Sequence, residues 1–343
     1  MTEPTAVITT SSVGHPLLEA RGLSKHFPVS GGLIHRLRGI APEILKAVDD
    51  VSLTIDRGET LGLVGESGCG KSTFGRVLLR LYEPTAGQVL LDGQDITTKG
   101  SDAMRALRKR MQVVFQDPYS SLNPSMTVRQ ALEEVLAVHN LVPKAQRRNR
   151  VGELLEMVGL SREMSDRKPS QFSGGQRQRI GIARALAMGP EIIISDEAVS
   201  ALDVSVQAQV LNLMMHLQDD LGLTYLFISH NLAVVQHISQ RVAVMYLGKI
   251  VELAPTVDLF AEPLHPYTKA LMLAVPKPIA RRKTLTAAVQ GDPPNPISPP
   301  PGCPFNPRCP HVMDICRQQY PSLRRVGRDR TVACHLYPTP IAL

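Results

Sequence analysis

Nine residues, GESGCGKST at positions 65–73, carry the densest chemistry in the chain. They fit the pattern G-x-x-x-x-G-K-[ST], with Gly65, Gly70, Lys71 and Ser72 at the defined positions. Glu66, Ser67, Gly68, Cys69 and Thr73 complete the stretch. Glycines let backbone N–H groups turn toward phosphate oxygens without a Cβ in the way, and the positive end of a following helix adds to their field. Lys71 is placed to reach the β- and γ-phosphates of a nucleotide, and the Ser72 hydroxyl to ligate Mg2+. Cys69 reads as a small side chain between glycines. The bland alternative is a glycine-rich turn that matches by chance.

Other candidate groups stand later in the chain. EIIISDE at 191–197 is an apolar run that delivers Asp196 and Glu197 at its end. Alone these are solvated acids closing a strand; beside a phosphate loop, Asp196 holds Mg2+ and Glu197 polarises the attacking water. YLFIS at 225–229 is a second such run and ends at His230. Ser173, Gly174, Gly175 and Gln176 open a helix predicted over 177–188. Ser173 has N-cap chemistry, and the glycines leave bare N–H groups at the helix's positive end, so the stretch is either a second anion site or a capped helix after a turn. Phe27 is the one aromatic ahead of the phosphate loop that could stack on a base, with core packing as the alternative.

The elements that must position these groups follow from pattern. Residues 60–64 (TLGLV) read as a strand into the loop and 72–81 as a helix out of it. Residues 17–26 suggest a strand with a turn, 31–42 a loop, and 47–55 an alternating strand. Residues 87–91 with the Asp92–Gly93 turn suggest an antiparallel hairpin. A short strand over 111–116 ends at the amide of Gln116, and DPYSSLNP at 117–124 is a turn-rich loop. Apolar spacing over 128–138 and 151–158 is helical, so a helical insertion is expected across 117–172.

The 343 residues suffice for one large domain plus an appendage, and 43% hydrophobic with 20% charged residues describes a globular protein. No apolar run approaches the roughly 18 residues of a membrane span. The first 16 residues lack a secretory pattern and read as a polar tail. A net charge of +7, spread along the chain, permits contact with nucleic acid or an anionic surface without requiring either; Arg147, Arg148 and Arg150 read as a solvated helix face.

Four of the five cysteines, Cys303, Cys309, Cys316 and Cys334, follow an extended proline-rich connector at 291–301. A nucleotide site argues for a reducing compartment and so against disulfides, and four thiols so close in sequence have metal-site composition. Paired C-x-x-C knuckles of structural zinc are absent, and an iron–sulfur cluster fits the irregular spacing equally well; unliganded buried thiols are the third reading. His311 and His335 lie nearby as substitute ligands or solvated surface histidines.

The ordered set Phe27, GESGCGKST, Gln116, FSGGQRQR, IIISDE, SALD and His230 resembles the nucleotide-binding subunit of an ABC transporter over residues 17–255. The resemblance implies an α/β P-loop NTPase fold: a RecA-like core, an antiparallel β subdomain and a helical subdomain carrying SGGQ. It would form a nucleotide-binding domain over 17–260, followed by a Pro/Cys-rich extension over 261–343. By position it makes Phe27 the adenine-stacking aromatic and Gln116 the sensor of Mg2+ and the γ-phosphate. His230 becomes the γ-phosphate switch, and Asp203 an acid that communicates across a dimer. Each ATP would lie between the phosphate loop of one chain and the signature of another. Two departures stand out: Ala198 where the family has proline, and Asn231 where it has aspartate.

Within the family, HFPVSGG, VVFQDPYSSLNP, VSALDVSVQAQVLNLM and HPYTKALM resemble the dipeptide and oligopeptide importer ATPases of the F type. That implies a peripheral motor on the cytoplasmic face of the cell membrane, with two permeases, a second ATPase subunit and an external peptide-binding protein as partners and no nucleic acid. Permease coupling helices are expected near residues 116–128. The same resemblance favours a [4Fe-4S] cluster over zinc for the four cysteines. The same motor working for nickel or another solute is the nearest rival; a soluble ABC ATPase acting on nucleic acid lacks its expected coiled-coil insertion or second phosphate loop.

Overall fold

The computed structural model describes residues 15–29, 43–117, 122–273, 291–327 and 329–337. The expected N-terminal tail to residue 14, the 31–42 loop and the middle of DPYSSLNP lie outside them. Strands β1 (Leu18–Val29), β2 (Glu43–Ile55), β4 (Ala86–Leu91) and β5 (Gln94–Asp95) form an antiparallel sheet in the order β2-β1-β4-β5. The β4–β5 turn is made by Asp92 and Gly93, both at positive φ (54° and 75°), which suits the right-handed twist of a hairpin. The expected turn inside β1 is instead a set of register shifts against β2 between Ala20 and His26, so the strand runs unbroken to Phe27 and beyond.

The second sheet positions the site. Strands β3 (Thr60–Val64), β6 (Met111–Val114), β7 (Ile192–Asp196), β8 (Thr224–Ile228), β9 (Arg241–Tyr246) and β10 (Lys249–Pro255) belong to it. The order is β11-β12-β10-β9-β3-β8-β7-β6, with β11 and β12 described below. Strands β9, β3, β8, β7 and β6 are mutually parallel. Their carboxyl ends therefore share one edge, where ligands bind in open α/β sheets. Strands β3, β7 and β8 are buried at every position, as parallel strands covered on both faces must be.

Alternation along these strands feeds two cores. Ile192, Ile194, Leu226 and Ile228 face Phe74, Val77 and Leu78 of helix α1 (Lys71–Leu78). Ile193, Tyr225 and Phe227 face the opposite core. That core includes α3 (Val128–Val138), α4 (Arg147–Met157), α5 (Gly174–Leu186), α6 (Val204–Leu221) and α7 (Leu232–Ile238). Helix α2 (Ser101–Arg110) joins the two sheets ahead of β6. Helix α4 begins four residues before the apolar spacing does. Its first turns are polar, with Asn149 and Arg150 both bonded to Glu153, and the apolar positions start only at Val151.

The chain beyond β10 is not an appendage. After α8 (Thr256–Ala261) and α9 (Pro266–Leu273), the segment containing α10 (Asp314–Gln318) returns to the sheet. There β12 (Thr331–Val332) pairs with β10 and with β11 (Arg324–Arg325). A two-residue strand has no periodicity to read, which hid this from the sequence. Among the described residues no helix is long and apolar enough to cross a membrane.

Candidate active site

The loop from β3 to α1 wraps the end of the helix as its glycines require. A Cβ on Gly70 would lie 2.0 Å from the Ala47 carbonyl oxygen, and one on Gly65 would lie 2.2 Å from that of Met245. Both glycines also hold positive φ, 107° and 157°. Gly70 is the N-cap of α1 and caps no N–H with a side chain, and the first turn carries no acid. The first-turn N–H groups, which have no intrahelical acceptor, are thus left for an anion. Lys71 is buried, and its Nζ donates to the carbonyls of Gly65 and Glu66 at 2.9 Å each. Those bonds park a cation at the mouth of the loop.

One cavity of about 360 Å3 brings together Phe27, Ser67 through Thr73, Gln116 and Glu197. Asp196 joins this group through Ser72, whose hydroxyl donates to Asp196 Oδ1 at 2.7 Å. His230 joins it through Glu197, with Nδ1 3.3 Å from Oε1. Four of these groups stand just past the ends of β3, β6, β7 and β8, so the parallel register of those strands gathers them. Phe27 is partly buried, edge-on to Tyr82 at 5.6 Å and beneath the Lys25 ammonium at 5.0 Å, on the cavity wall formed by the antiparallel sheet.

The donor set fits Mg2+ with a nucleoside triphosphate. A hydroxyl, a carboxylate and an amide, Ser72, Asp196 and Gln116, are the oxygen donors a hard cation takes, and the loop presents amide N–H groups and an ammonium to phosphate.

Ser173 to Gln176 and Asp203 do not reach this cavity. Ser173 caps α5: its Oγ accepts from Gln176 N–H, and Gln176 Oε1 accepts from Ser173 N–H. The helix therefore starts at Gly174, inside the motif rather than after it. A Cβ on Gly175 would meet Val206 at 2.2 Å, so the signature helix packs tightly on α6 behind Asp203. Ser173 and Asp203 are both exposed, and neighbouring Val204 is 82% exposed, so this surface is open to another molecule. Of the two departures from the family pattern, Asn231 caps α7, accepting from Ala233 and Val234 N–H, and Ala198 is buried.

Cys303, Cys309, Cys316 and Cys334 all line one small cavity with His265, Phe305, His311 and His335, and all are free thiols. Burial pushes the Cys303 thiol up to about 12 and that of Cys334 to about 11, with neighbouring thiols adding to both. The expected metal centre is met only this far: among the described residues no three His, Cys, Asp or Glu side chains form a group that could hold a metal ion.

Sequence reasoning missed several residues at the site. Pro296 closes part of the nucleotide cavity, and Tyr267 and Arg308 touch the phosphate loop itself. The Glu66 N–H bond to the Tyr267 hydroxyl and the Arg308 bond to the Glu66 carboxylate span more than 200 positions, and no local signal points to them.

The sequence profile of the ABC transporter family matches residues 48–200, and that of the oligopeptide/dipeptide transporter C-terminal region matches 251–316. The chain is 51% identical to the oligopeptide transport ATP-binding protein AppF of Bacillus subtilis, covering 96% of this chain and 99% of that protein. Among solved structures, it superposes on cbiO1 of Clostridium perfringens, part of the ABC transporter complex cbiONQ. There the TM-score is 0.62 at 27% identity, over 72% of this chain and 92% of that one. The ATP-binding cassette MJ0796, a dimer in a post-hydrolysis state with ADP and Pi, gives 0.59 at 29% identity, over 70% and 98%. Identity of this degree over nearly the full length leaves one conclusion: the chain belongs to the ABC transporter ATP-binding proteins, the ATP-hydrolysing subunits of membrane transporters.

Proposed function

We propose that this ATPase drives import of dipeptides or oligopeptides, and that the residues gathered at the strand ends carry its hydrolytic step. The cargo reading rests on the peptide-transport relatives and on the match of its C-terminal region. The observation that carries the site reading is the single cavity shared by the phosphate loop, Gln116 and Glu197. Bound Mg2+ would supply charge neutralisation for the phosphates and would be held by Ser72, Gln116 and Asp196. Lys71 leaves its two carbonyls to pair with the β- and γ-phosphates. Glu197 takes the proton of the attacking water, His230 steadies Glu197 and contacts the γ-phosphate, and Phe27 stacks on the adenine.

The second wall of the site is the Ser173–Gln176 signature and Asp203 of another ATPase chain, in a head-to-tail pair with a related subunit. Exposure of that surface away from the chain's own cavity supports this arrangement. The subunit sits peripherally on the cytoplasmic face of the membrane, held by two permeases and served indirectly by an external binding protein. A groove of about 780 Å3, lined by Phe115, Leu122, Met126, Ala131, Glu134 and Arg184, suits the permease coupling helices, and Phe115 stands 40% exposed there. A [4Fe-4S] cluster within residues 261–343 would use the four thiols that share a cavity, and it would need them to draw closer, because as placed no three of them form a metal-holding group.

The test is Glu197→Gln in the assembled transporter. Hydrolysis is expected to fall by roughly 100-fold or more, as loss of a general base requires, with ATP still bound between the two ATPase chains. Unchanged turnover overturns the assignment.

A further inference from the structure

Glu66 is an acid in a loop that receives a polyanion, and it is held from three sides. Its N–H donates to the Tyr267 hydroxyl at 2.8 Å, and its carbonyl accepts from Lys71. Its carboxylate accepts both terminal nitrogens of Arg308, at 3.0 Å each. The Arg308 side chain is 6% exposed, keeps its charge at any working pH, and also donates to the Tyr246 hydroxyl at 3.3 Å. Beneath the contact, Tyr246, Tyr267 and Phe305 form a buried three-ring cluster with centroids 4.5–5.5 Å apart. Arg308 sits in the short turn Asn306–Arg308, between Cys303 and Cys309.

A partly buried ion pair contributes little net stability, because desolvation and screening offset its attraction. What this one changes is charge and position. Without Arg308, Glu66 would leave an uncompensated carboxylate one residue before Ser67, where the loop begins to line the nucleotide cavity. With it, the first half of the loop carries no net charge and is fixed at Glu66 by Arg308 and Tyr267. We propose that Arg308 is a positioning residue for nucleotide binding, acting through Glu66, so that the C-terminal segment forms part of the phosphate site. This rests on the ATP-site reading above.

The experiment measures binding of mant-ATP to the full chain, and KM and kcat of the assembled transporter, with Lys71→Ala as control. Arg308→Ala is expected to weaken nucleotide binding about tenfold and raise KM in step, with kcat within about twofold of the parent. Arg308→Lys keeps the charge but loses the fork and should fall between. Adding Glu66→Gln to Arg308→Ala should restore affinity to within about threefold, because the liberated charge is removed with it. A role confined to docking the C-terminal segment would not be rescued in this way. Should Arg308→Ala fail to fold, Arg308→Lys with and without Glu66→Gln carries the comparison. Unchanged affinity on loss of Arg308, or a loss that Glu66→Gln does not recover, overturns the proposal. Equal mant-ATP binding by Lys71→Ala would instead overturn the site assignment beneath it, and the proposal with it.

Discussion

At Glu197 the backbone turns into the left-handed region, φ 51°, a conformation that costs a non-glycine residue about 1–3 kcal/mol. The N–H of Glu197 donates to the Ile228 carbonyl at 3.0 Å, which pins the turn to the end of β8. The side chain is thereby aimed into the cavity and toward His230 rather than along the strand. Sequence pattern revealed that Asp196 and Glu197 end a buried strand, since the apolar run is local; it could not reveal the strained turn, which depends on a neighbouring strand 31 positions away. The four thiols show the same division. Their composition was legible and their convergence on one cavity was not, because a five-residue helix carrying Cys316 and irregular segments carrying the other three bring them there. Anaerobically purified protein is expected to carry iron and acid-labile sulfide, with Cys316→Ser releasing both. Zinc without iron in a colourless preparation would rule the cluster out. Binding should release protons near neutrality, since burial holds Cys303 and Cys334 as thiols in the free chain.

Among the elements, the strand–loop–helix unit and the two buried runs were readable because periodicity and the glycine motif lie within a few residues of one another. The join between the sheets was not. Arg57 bridges Asp92 at 2.6 Å and Glu191 at 2.8 Å, and Arg110 also pairs with both acids, tying the hairpin turn to the start of β7. The hydrogen bond from Arg110, with Arg57 beside it, holds the Glu191 carboxyl below its ordinary 4.5, and Arg57 does the same for Asp92 below 3.8. A carboxyl whose folded pKa is depressed adds stability above its unfolded value, and that stability is lost as pH falls through the folded one. The melting temperature is therefore expected to have no contribution to its pH dependence from this network between neutrality and about pH 5, and to lose this support below about 4.5. Glu191→Gln should blunt the acid limb of a melting-temperature profile. An acid limb of the same depth in that variant would show that the network does not carry it.

At the scale of the whole molecule, among the described residues the phosphate cavity and the exposed Ser173–Gln176 signature do not meet. An isolated chain is expected to bind ATP yet hydrolyse it poorly, with specific activity rising with concentration or on addition of its partner ATPase. Specific activity that is high and independent of concentration in a monomer would refute the two-chain site. The sequence motifs made both stretches visible. They did not expose the return of the C-terminal segment to the sheet, because two-residue strands and single long-range contacts leave no pattern. That return has a temporal side. Strand β12 is made long after β10, so during synthesis the β10 edge stands open while the intervening chain is produced, some seconds at about 5–20 residues per second. An open edge is a template for pairing with another chain. The nascent protein is thus open to edge pairing between the synthesis of β10 and that of β12.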